Sequence, residues 1–246
     1  MNSTDLAVQV IRESSSIVAL TGAGISTDSG IPDFRSPQGL WSKYPVTFGG
    51  YEYYMKHPEQ LLELGRELFP KLRDAQPNKG HRALKELEDM GKLKAIITQN
   101  IDGLHQMAGS KDVIEIHGTY KTGTCMNCKK KFSEDEVFAL LDKIPLCPDC
   151  SGLVKPDVVM FGEQLPKEAF LRAKNLSEES DLMIVAGSSL EVYPASHLVL
   201  VTKSSHGRII IANDTETALD KVADITIREN LSVCLPRIVK KLKEGT

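Results

Sequence analysis

Short apolar runs rich in valine and isoleucine recur along the chain, and stretches with helical periodicity lie between them. Runs this short and this apolar are typical of strands buried on both faces of a parallel sheet. One stretch between them carries Leu84, Leu87 and Met90 on one face and is followed by Gly91, so it predicts a helix over residues 82–90. The alternation predicts an α/β fold with a doubly wound parallel sheet. The predicted strands are residues 17–20, 95–98, 113–116, 182–186 and 209–212.

Two insertions interrupt this alternation. Residues 37–75 contain half of the aromatic side chains and predict a helical insertion, whereas residues 119–153 contain two pairs of cysteines. Because both insertions interrupt the path of the sheet, we expect them to combine into one smaller domain over the strand ends. The larger domain is then predicted to comprise residues 1–36, 76–118 and 154–246.

Charge and hydropathy exclude two classes of partner. The chain has 246 residues and a net charge of -3, so its overall charge gives no reason to expect broad nucleic-acid binding. No apolar stretch approaches the length of a membrane span, and the first residues lack the charged and apolar regions of a secretory signal. We therefore expect a cytoplasmic protein that binds neither membranes nor nucleic acids directly.

Four of the five cysteines form two close pairs, and this spacing is typical of a four-thiolate zinc site. Two disulfides or a redox dithiol are the alternatives, but disulfides are rare in a reducing compartment and a redox motif needs only one pair. Four thiolates leave no open position for water, so a structural zinc ion is predicted. Cys234 lies alone in an amphipathic stretch and is expected to be a core residue. The predicted zinc ligands are Cys125, Cys128, Cys147 and Cys150.

Polar and glycine positions coincide with the ends of the predicted strands, where doubly wound sheets bind ligands. Gly22 and Gly24 follow the first strand and would let a backbone or a diphosphate approach closely. A tight turn without a ligand uses the same residues, so this pair alone leaves both interpretations open. Thr27 occupies the position of the third glycine of a dinucleotide fingerprint, which disfavours a hydride-transferring dehydrogenase.

Three side chains at these strand ends are candidates for chemistry. His117 ends a strand, where it could be a general base, a structural residue or a solvated side chain. Asn100 and Asp102 lie on the loop after another strand. An amide and a carboxylate there can hold sugar hydroxyls and a carboxamide, although an Asx turn or a helix cap uses the same residue types.

Short motifs that contain these residues follow one another along nearly the whole chain. They are Thr-Gly-Ala-Gly-Ile-Ser at 21–26, Gly-Ile-Pro-Asp-Phe-Arg at 30–35, Thr-Gln-Asn-Ile-Asp-Gly-Leu-His at 98–105, Glu-Ile-His-Gly at 115–118, Phe-Gly-Glu at 161–163, Gly-Ser-Ser-Leu at 187–190 and Val-Tyr-Pro-Ala at 192–195. Together with the four cysteines, this series resembles the sirtuins, which are NAD-dependent protein-lysine deacylases.

The resemblance implies a Rossmann-like NAD-binding domain, with the helical insertion and a zinc ribbon as the smaller domain. It also implies that the acetyl-lysine oxygen attacks the ribose carbon that carries nicotinamide, and that nicotinamide leaves. His117 would then accept a proton from the ribose hydroxyls as general base. The implied products are nicotinamide, 2′-O-acetyl-ADP-ribose and the free lysine, so NAD is a consumed co-substrate and acetylated proteins or peptides are the partners.

The same resemblance assigns roles to single residues. Asn100 and Asp102 would join His117 as catalytic residues, and Phe34 would shield the reacting ribose from water. A peptide substrate would lie between two extended segments, residues 158–163 and 191–194. The implied substrate-binding residues are Val159, Phe161, Gly162 and Val192. The implied NAD-binding residues are Gly22, Ala23, Gly24, Asp33, Phe34, Arg35, Gln99, Asn100, Ile101, Asp102, His117, Gly187, Ser188, Ser189 and Asn213.

Two alternatives to a deacetylase share this scaffold: a mono-ADP-ribosyltransferase, and a zinc-bearing interaction module without activity. The intact Asn100, Asp102 and His117 favour the deacetylase. Relatives that remove acidic acyl groups resemble one another in a tyrosine and an arginine that meet the acyl carboxylate. The matching positions here are Gly65 and Leu68, so the sequence predicts neutral acyl groups, acetyl first.

Overall fold

The computed structural model describes residues 2–140 and 143–244. Two β-sheets and a set of α-helices make up the described part of the chain. The strands are β1 (Ile17–Thr21), β2 (Leu93–Thr98), β3 (Val113–Glu115), β4 (Gly118–Cys125), β5 (Lys131–Ser133), β6 (Val154–Val158), β7 (Leu182–Ala186), β8 (Arg208–Ala212) and β9 (Ile225–Ile227). The helices are α1 (Ser3–Glu13), α2 (Leu40–Lys43), α3 (Tyr51–Lys56), α4 (Pro58–Asp74), α5 (Lys79–Asp89), α6 (Leu104–Met107), α7 (Glu134–Ala139), α8 (Lys167–Glu179), α9 (His197–Ser204) and α10 (Leu231–Glu244).

The main sheet has six strands in the order β3-β2-β1-β7-β8-β9, and every neighbouring pair is parallel. The predicted α/β class with a parallel sheet is therefore confirmed, and each of the five predicted runs is a strand. The edge strand β9 was not predicted, because its three residues are too short a run to show a pattern.

Helices cover both faces of this sheet, and the strand residues alternate between two cores. On β1, Ile17 and Ala19 belong to a core that includes side chains of α1, α5 and α10. Val18 and Leu20 belong to a second core that includes side chains of α8 and α9. The sheet is thus doubly wound, which explains why its central strands β1 and β7 are buried at every position.

Helix α5 begins three residues before the predicted helix. The Asn78 side chain accepts hydrogen bonds from the backbone N–H groups of Gly80 and His81, which caps the helix. This cap adds a turn that carries no apolar periodicity, so the hydrophobic pattern alone placed the start too late.

The strand order reverses beside β1, since the chain runs outwards through β2 and β3 and then returns to β7 on the other side of β1. The ends of the three strands lie in register, with Thr21 opposite both Thr98 and Ala186. Loops that leave neighbouring strands in opposite directions open a crevice at this edge. The candidate site lies in this crevice.

The helical insertion is confirmed as α2, α3 and α4, and the cysteine-rich insertion carries an antiparallel sheet in the order β5-β4-β6. Strand β6 pairs with β4, although residues 154–158 were assigned to the larger domain. The division into two domains remains a prediction. No helix in the described residues is both long and apolar enough to cross a membrane.

Candidate active site

Three glycines let the loops after β1 and β7 touch. The N–H of Gly24 donates to the carbonyl of Gly187 over 2.9 Å. A Cβ atom on Gly22 would lie 2.7 Å from the Gly187 oxygen, and one on Gly187 would lie 2.3 Å from the nitrogen of Ile25. Gly187 also has a φ of +71°, which side chains rarely adopt. Glycine at these positions is therefore needed for loop packing, and the backbone of the first loop lines the crevice.

Asn100 and Asp102 are both buried at the end of β2, and the hydroxyl of Ser26 connects them. The Asn100 amide donates to the Gly22 carbonyl and to Ser26 Oγ, each over 3.1 Å. Both N–H groups are therefore used, and Oδ1 is the acceptor that Asn100 can offer to a ligand. Ser26 Oγ donates to Asp102 Oδ2 over 2.7 Å. Burial raises the pKa of Asp102 above its ordinary value.

His81 completes the bonding of the Ser26 hydroxyl. The Asn78 N–H donates to His81 Nδ1 over 3.3 Å, so Nε2 carries the ring proton and donates to Ser26 Oγ over 3.4 Å. Ser26 Oγ then has one donated and two accepted hydrogen bonds. His105, whose ring centroid lies 4.9 Å from that of His81, contacts Thr21 Oγ1 over 3.0 Å. Burial lowers the pKa of His81 to about 4 and that of His105 to about 3, so both rings are neutral.

His117 follows β3 and is half-buried at the same edge. Its Nδ1 lies 3.0 Å from the carbonyl oxygen of Gln99. Because a carbonyl only accepts, Nδ1 carries the proton and Nε2 is left as an acceptor. Burial lowers the pKa of His117 below its ordinary value of 6.5, and the bond to Gln99 opposes this shift. The ring is therefore a neutral base near pH 7.

The ends of β7 and β8 contribute a further polar group of residues. Ser188 is buried, and its hydroxyl accepts hydrogen bonds from Gln99 Nε2 over 2.9 Å and from the Leu190 N–H over 3.2 Å. Ser189 follows it, and its carbonyl accepts from the N–H of Ala218. Asn213 is buried and donates to the carbonyl of Thr215 over 2.9 Å. The structure thus brings these predicted residues to the switch point.

Residues 33–35 form a partly exposed loop over the crevice. Asp33 accepts from the Ser36 N–H over 3.0 Å, and the Phe34 ring packs 5.3 Å from the Trp41 ring while remaining 37% exposed. Arg35, which the resemblance includes among the NAD-binding residues, forms an ion pair of 2.7 Å with Glu191. The loop therefore touches the loop after β7 through Arg35.

The two predicted peptide-binding segments are only partly extended, which corrects the sequence-based expectation. Val158 belongs to β6, and the following residues form a turn closed by the N–H of Glu163 bonding to the Met160 carbonyl. Val192 lies in a turn before α9, because the Ser196 N–H bonds back to its carbonyl. The segments nevertheless place Phe161 and Val192 outside the core, and Phe161 is 44% exposed.

The four predicted zinc ligands lie together at one end of the antiparallel sheet. All four Sγ atoms lie within 4.8 Å of one another, with 3.5 Å between Cys125 and Cys150 and 3.8 Å between Cys128 and Cys147. Tetrahedral zinc with bonds of about 2.3 Å needs sulfur atoms roughly 3.8 Å apart. A Cβ atom on Gly152 would lie 3.0 Å from the Cys125 sulfur, so this glycine keeps the space around the thiolates open. The cluster can hold one structural zinc ion.

Ser26 and His81 were missed as site residues. Ser26 lies inside the first motif, at residues 21–26, so the motif itself was the available signal. His81 carries no such signal, because it lies on α5 and reaches the site only through tertiary packing. Cys234 is fully buried in α10, as expected.

The switch point of the doubly wound sheet thus carries a buried amide, a buried carboxylate and a neutral histidine. This combination is typical of a nucleotide-binding α/β enzyme. The four-cysteine cluster and its antiparallel sheet form a separate part of the chain, which we call the thiolate module. The chain belongs to the Sir2 family, because the model of that family matches residues 22–194.

Curated relatives and solved structures agree with this assignment. The chain is 44% identical over 238 residues to an NAD-dependent protein deacetylase of Sulfolobus acidocaldarius, covering 96% of this chain and 93% of the relative. It is 46% identical over 229 residues to an NAD-dependent protein deacetylase of Thermotoga maritima, covering 92% of each. A Sir2 structure with a p53 peptide and NAD+ superposes with a TM-score of 0.90 at 41% identity, covering 98% of both chains. A Sir2 structure bound to an acetylated peptide gives a TM-score of 0.90 at 40% identity, again over 98% of both chains.

Proposed function

We propose that this protein is an NAD-dependent protein-lysine deacetylase that converts NAD, an acetylated lysine and water into nicotinamide, 2′-O-acetyl-ADP-ribose and the free lysine. The observation that carries the proposal is His117, a neutral base whose Nδ1 is held by the Gln99 carbonyl beside the buried Asn100 and Asp102. Membership of the Sir2 family connects this arrangement with deacetylation.

NAD would lie across the switch point. The backbone of Gly22, Ala23 and Gly24 would face the phosphates, and Ser188 with Asn213 would face the adenosine half. Asn100 and Asp102 would hold the nicotinamide and its ribose, since their orientations are set by Ser26 before a ligand binds. Preorganised polar groups of this kind cost little reorganisation during the reaction.

His117 would act through Nε2. The hydrogen bond from Nδ1 to Gln99 fixes the tautomer, so Nε2 can accept a proton from a ribose hydroxyl. The 2′-oxygen freed of its proton would then attack the carbon of the former acetyl group. The bond from that carbon to the lysine nitrogen would break as the nitrogen takes up a proton, and water would supply the carbonyl oxygen of the acetyl ester. A charged imidazolium could not accept this proton, and burial of the ring disfavours that form.

The acetylated lysine would enter between the loop that carries Phe34 and the turn that carries Phe161. The Phe34 and Trp41 rings lie 5.3 Å apart, and the Trp41 and Phe161 rings lie 6.2 Å apart. These apolar rings, with Val192, would pack against the lysine methylenes, and the Val159 carbonyl would accept the amide N–H of the acyl group. Such contacts use the peptide backbone and the acyl-lysine itself, so acetylated proteins of varied sequence are the expected partners.

The thiolate module would stabilise the fold through one zinc ion held by its four cysteines. Four protein ligands leave no position for water, so the ion takes no part in the proton transfer at His117. A reducing compartment such as the cytoplasm would keep these thiols free of disulfides.

Mass spectrometry of an acetylated peptide, incubated with and without NAD, tests the proposal. We expect the peptide to lose about 42 Da, the mass of the acetyl group less one hydrogen, only when NAD is present. A gain of the mass of ADP-ribose would instead support a mono-ADP-ribosyltransferase. No change in peptide mass with NAD would contradict both activities.

A further inference from the structure

The turn that is expected to bind the peptide rests on an ion pair that has no part in the proposed chemistry. We call residues 158–163 the substrate segment. Lys155 Nζ lies 3.1 Å from Glu163 Oε2, and the two side chains are only 11% and 22% exposed. A pair with so little exposure is screened far less than a surface pair. It lines a surface cavity of about 470 Å³.

Each partner of this ion pair also holds the backbone of the segment. Lys155 Nζ donates to the carbonyl of Val158 over 2.7 Å. Glu163 Oε2 accepts the N–H of Met160 over 2.9 Å, and the Glu163 N–H donates to the Met160 carbonyl over 3.0 Å. Gly162, with a φ of +90°, permits the turn that brings Glu163 back to Met160. The pair therefore holds the backbone of Val158 and Met160, the residues on both sides of Val159.

Val159 itself connects the segment to the catalytic histidine. Its N–H donates to the carbonyl oxygen of His117 over 2.9 Å. Within residues 2–140 and 143–244, no N–H or O–H group donates to the Val159 carbonyl. That carbonyl is therefore an acceptor whose direction depends on how Val158 and Met160 are held.

A second set of hydrogen bonds, which does not involve the ion pair, holds Phe161 further along the segment. The Phe161 N–H donates to the Gly49 carbonyl, and the Phe161 carbonyl accepts from the Tyr51 N–H. These bonds hold the aromatic ring against the helical insertion. Loss of the ion pair would thus leave Phe161 in place while it frees the peptide planes next to Val159.

We propose that Lys155 and Glu163 are positioning residues that orient the Val159 carbonyl towards the amide N–H of the acyl-lysine substrate. The proposal rests on the deacetylase function, since it names the substrate group that this carbonyl receives. Neither residue touches the reacting atoms. They hold the Val159 carbonyl in the direction that the substrate needs before the substrate binds.

Lys155→Met and Glu163→Gln break the pair from either side, and Lys155→Arg keeps a cation there. We expect each of the first two to raise the Kd of an acetyl-lysine peptide about tenfold, because an unpaired half-buried charge disturbs its neighbours. Lys155→Arg should recover most of the affinity. The Kd of ADP-ribose should stay within about twofold of the parent value, since its proposed site uses other loops.

Amide hydrogen exchange gives a readout that does not depend on the reaction. Exchange at the amides of Val159, Met160 and Glu163 should rise in Lys155→Met and Glu163→Gln, because their hydrogen bonds open more often, whereas the Phe161 amide, which is held by Gly49, should not change. Lys85→Met is the matched control, since Lys85 is a 17% exposed partner of Glu88 on α5. It should change neither exchange in this segment nor peptide affinity.

Unchanged exchange in the segment would overturn the inference, whether or not the parent protein deacetylates the peptide. Raised exchange with unchanged peptide affinity would also overturn it, because the pair would then hold the backbone without serving the substrate. Equal weakening of peptide and ADP-ribose binding, with a lowered Tm, would assign the pair to general stability and contradict the positioning role. A parent protein that neither binds nor deacetylates the peptide would contradict the proposed function separately.

Discussion

Hydrogen bonds within the fold set the tautomer and the orientation of single residues at the strand ends. His117 has its tautomer set by the Gln99 carbonyl, and Asn100 and Asp102 are oriented through one hydroxyl, that of Ser26. Burial rather than a neighbouring charge is the main cause of the lowered pKa of His117. Burial therefore favours the neutral His117 ring, and the hydrogen bond to Gln99 sets its tautomer.

The pH dependence of catalysis follows from this lowered pKa. His117 must be neutral to accept a proton, and its neutral form prevails above its pKa, which lies below 6.5. We expect kcat/KM for an acetylated peptide at saturating NAD to be level between about pH 7 and 8 and to fall only at more acidic pH. An acidic limb with its midpoint at or above pH 7 would contradict the account of His117.

Much of this residue-scale picture was predictable, because His117, Asn100 and Asp102 follow runs that are recognisable as strands. His81 was not, and although Ser26 lies inside the first motif, its contact with His81 arises only where the loop after β1 packs against α5. The sequence separates these two residues by more than fifty positions, and no local pattern reports their contact. Their hydrogen bonds depend on tertiary structure.

At the scale of elements, an ion pair joins two of the loops around the crevice. Arg35 is paired with Glu191, so under the proposed function it would have to leave this carboxylate to reach a phosphate of NAD. The two predicted extended segments are only partly extended, because backbone hydrogen bonds close a turn in each before α8 and α9. Alternating or apolar sequence predicts extension but does not report such closing bonds.

Glu191→Gln should therefore favour NAD. Removing the carboxylate frees Arg35 for the phosphates, and an exposed pair of this kind is worth up to about 1 kcal/mol, so we expect KM for NAD to fall by up to about fivefold. Glu13→Gln is the matched control, because the Glu13–Arg208 pair has the same 2.7 Å distance and similar exposure. A higher KM for NAD in Glu191→Gln would show that the carboxylate helps binding instead.

Helix α4 determines the acyl preference that we expect. Gly65 is buried on this helix, and Leu68 packs in an apolar cluster together with Ile101, the residue between Asn100 and Asp102. A succinyl carboxylate directed here would lose its water without gaining a partner from either position, which costs several kcal/mol. We expect kcat/KM for a succinyl-lysine peptide to lie at least about 100-fold below that for acetyl-lysine, with propionyl-lysine close to acetyl. Equal rates with succinyl-lysine would refute this preference.

At the scale of the whole molecule, a doubly wound sheet provides the crevice, and the second insertion contains four cysteines that can hold one zinc ion. The α/β class and the four-cysteine cluster could both be predicted, since each has a strong local signature. The edge strand β9 and the pairing of β6 with β4 could not, because they depend on long-range packing of very short or irregular segments.

Loss of a zinc ligand should therefore act on stability rather than on chemistry. Cys147→Ser should lose the metal and lower the Tm, because metal binding is coupled to folding of the module. Metal analysis and thermal melting measure both effects. Cys234→Ser is the control, since Cys234 is buried in α10 away from the cluster and its replacement should leave zinc content unchanged. Full stability of Cys147→Ser without metal would contradict a structural zinc.

The stoichiometry of the reaction tests the central claim most directly. Nicotinamide, 2′-O-acetyl-ADP-ribose and deacetylated peptide are measured together in one reaction, for the parent protein and for His117→Ala. We predict equal amounts of the three products from the parent protein and a loss of about 100- to 10,000-fold in His117→Ala at unchanged Tm and zinc content. Nicotinamide release without matching deacetylation, or near-normal turnover by His117→Ala, would contradict the account.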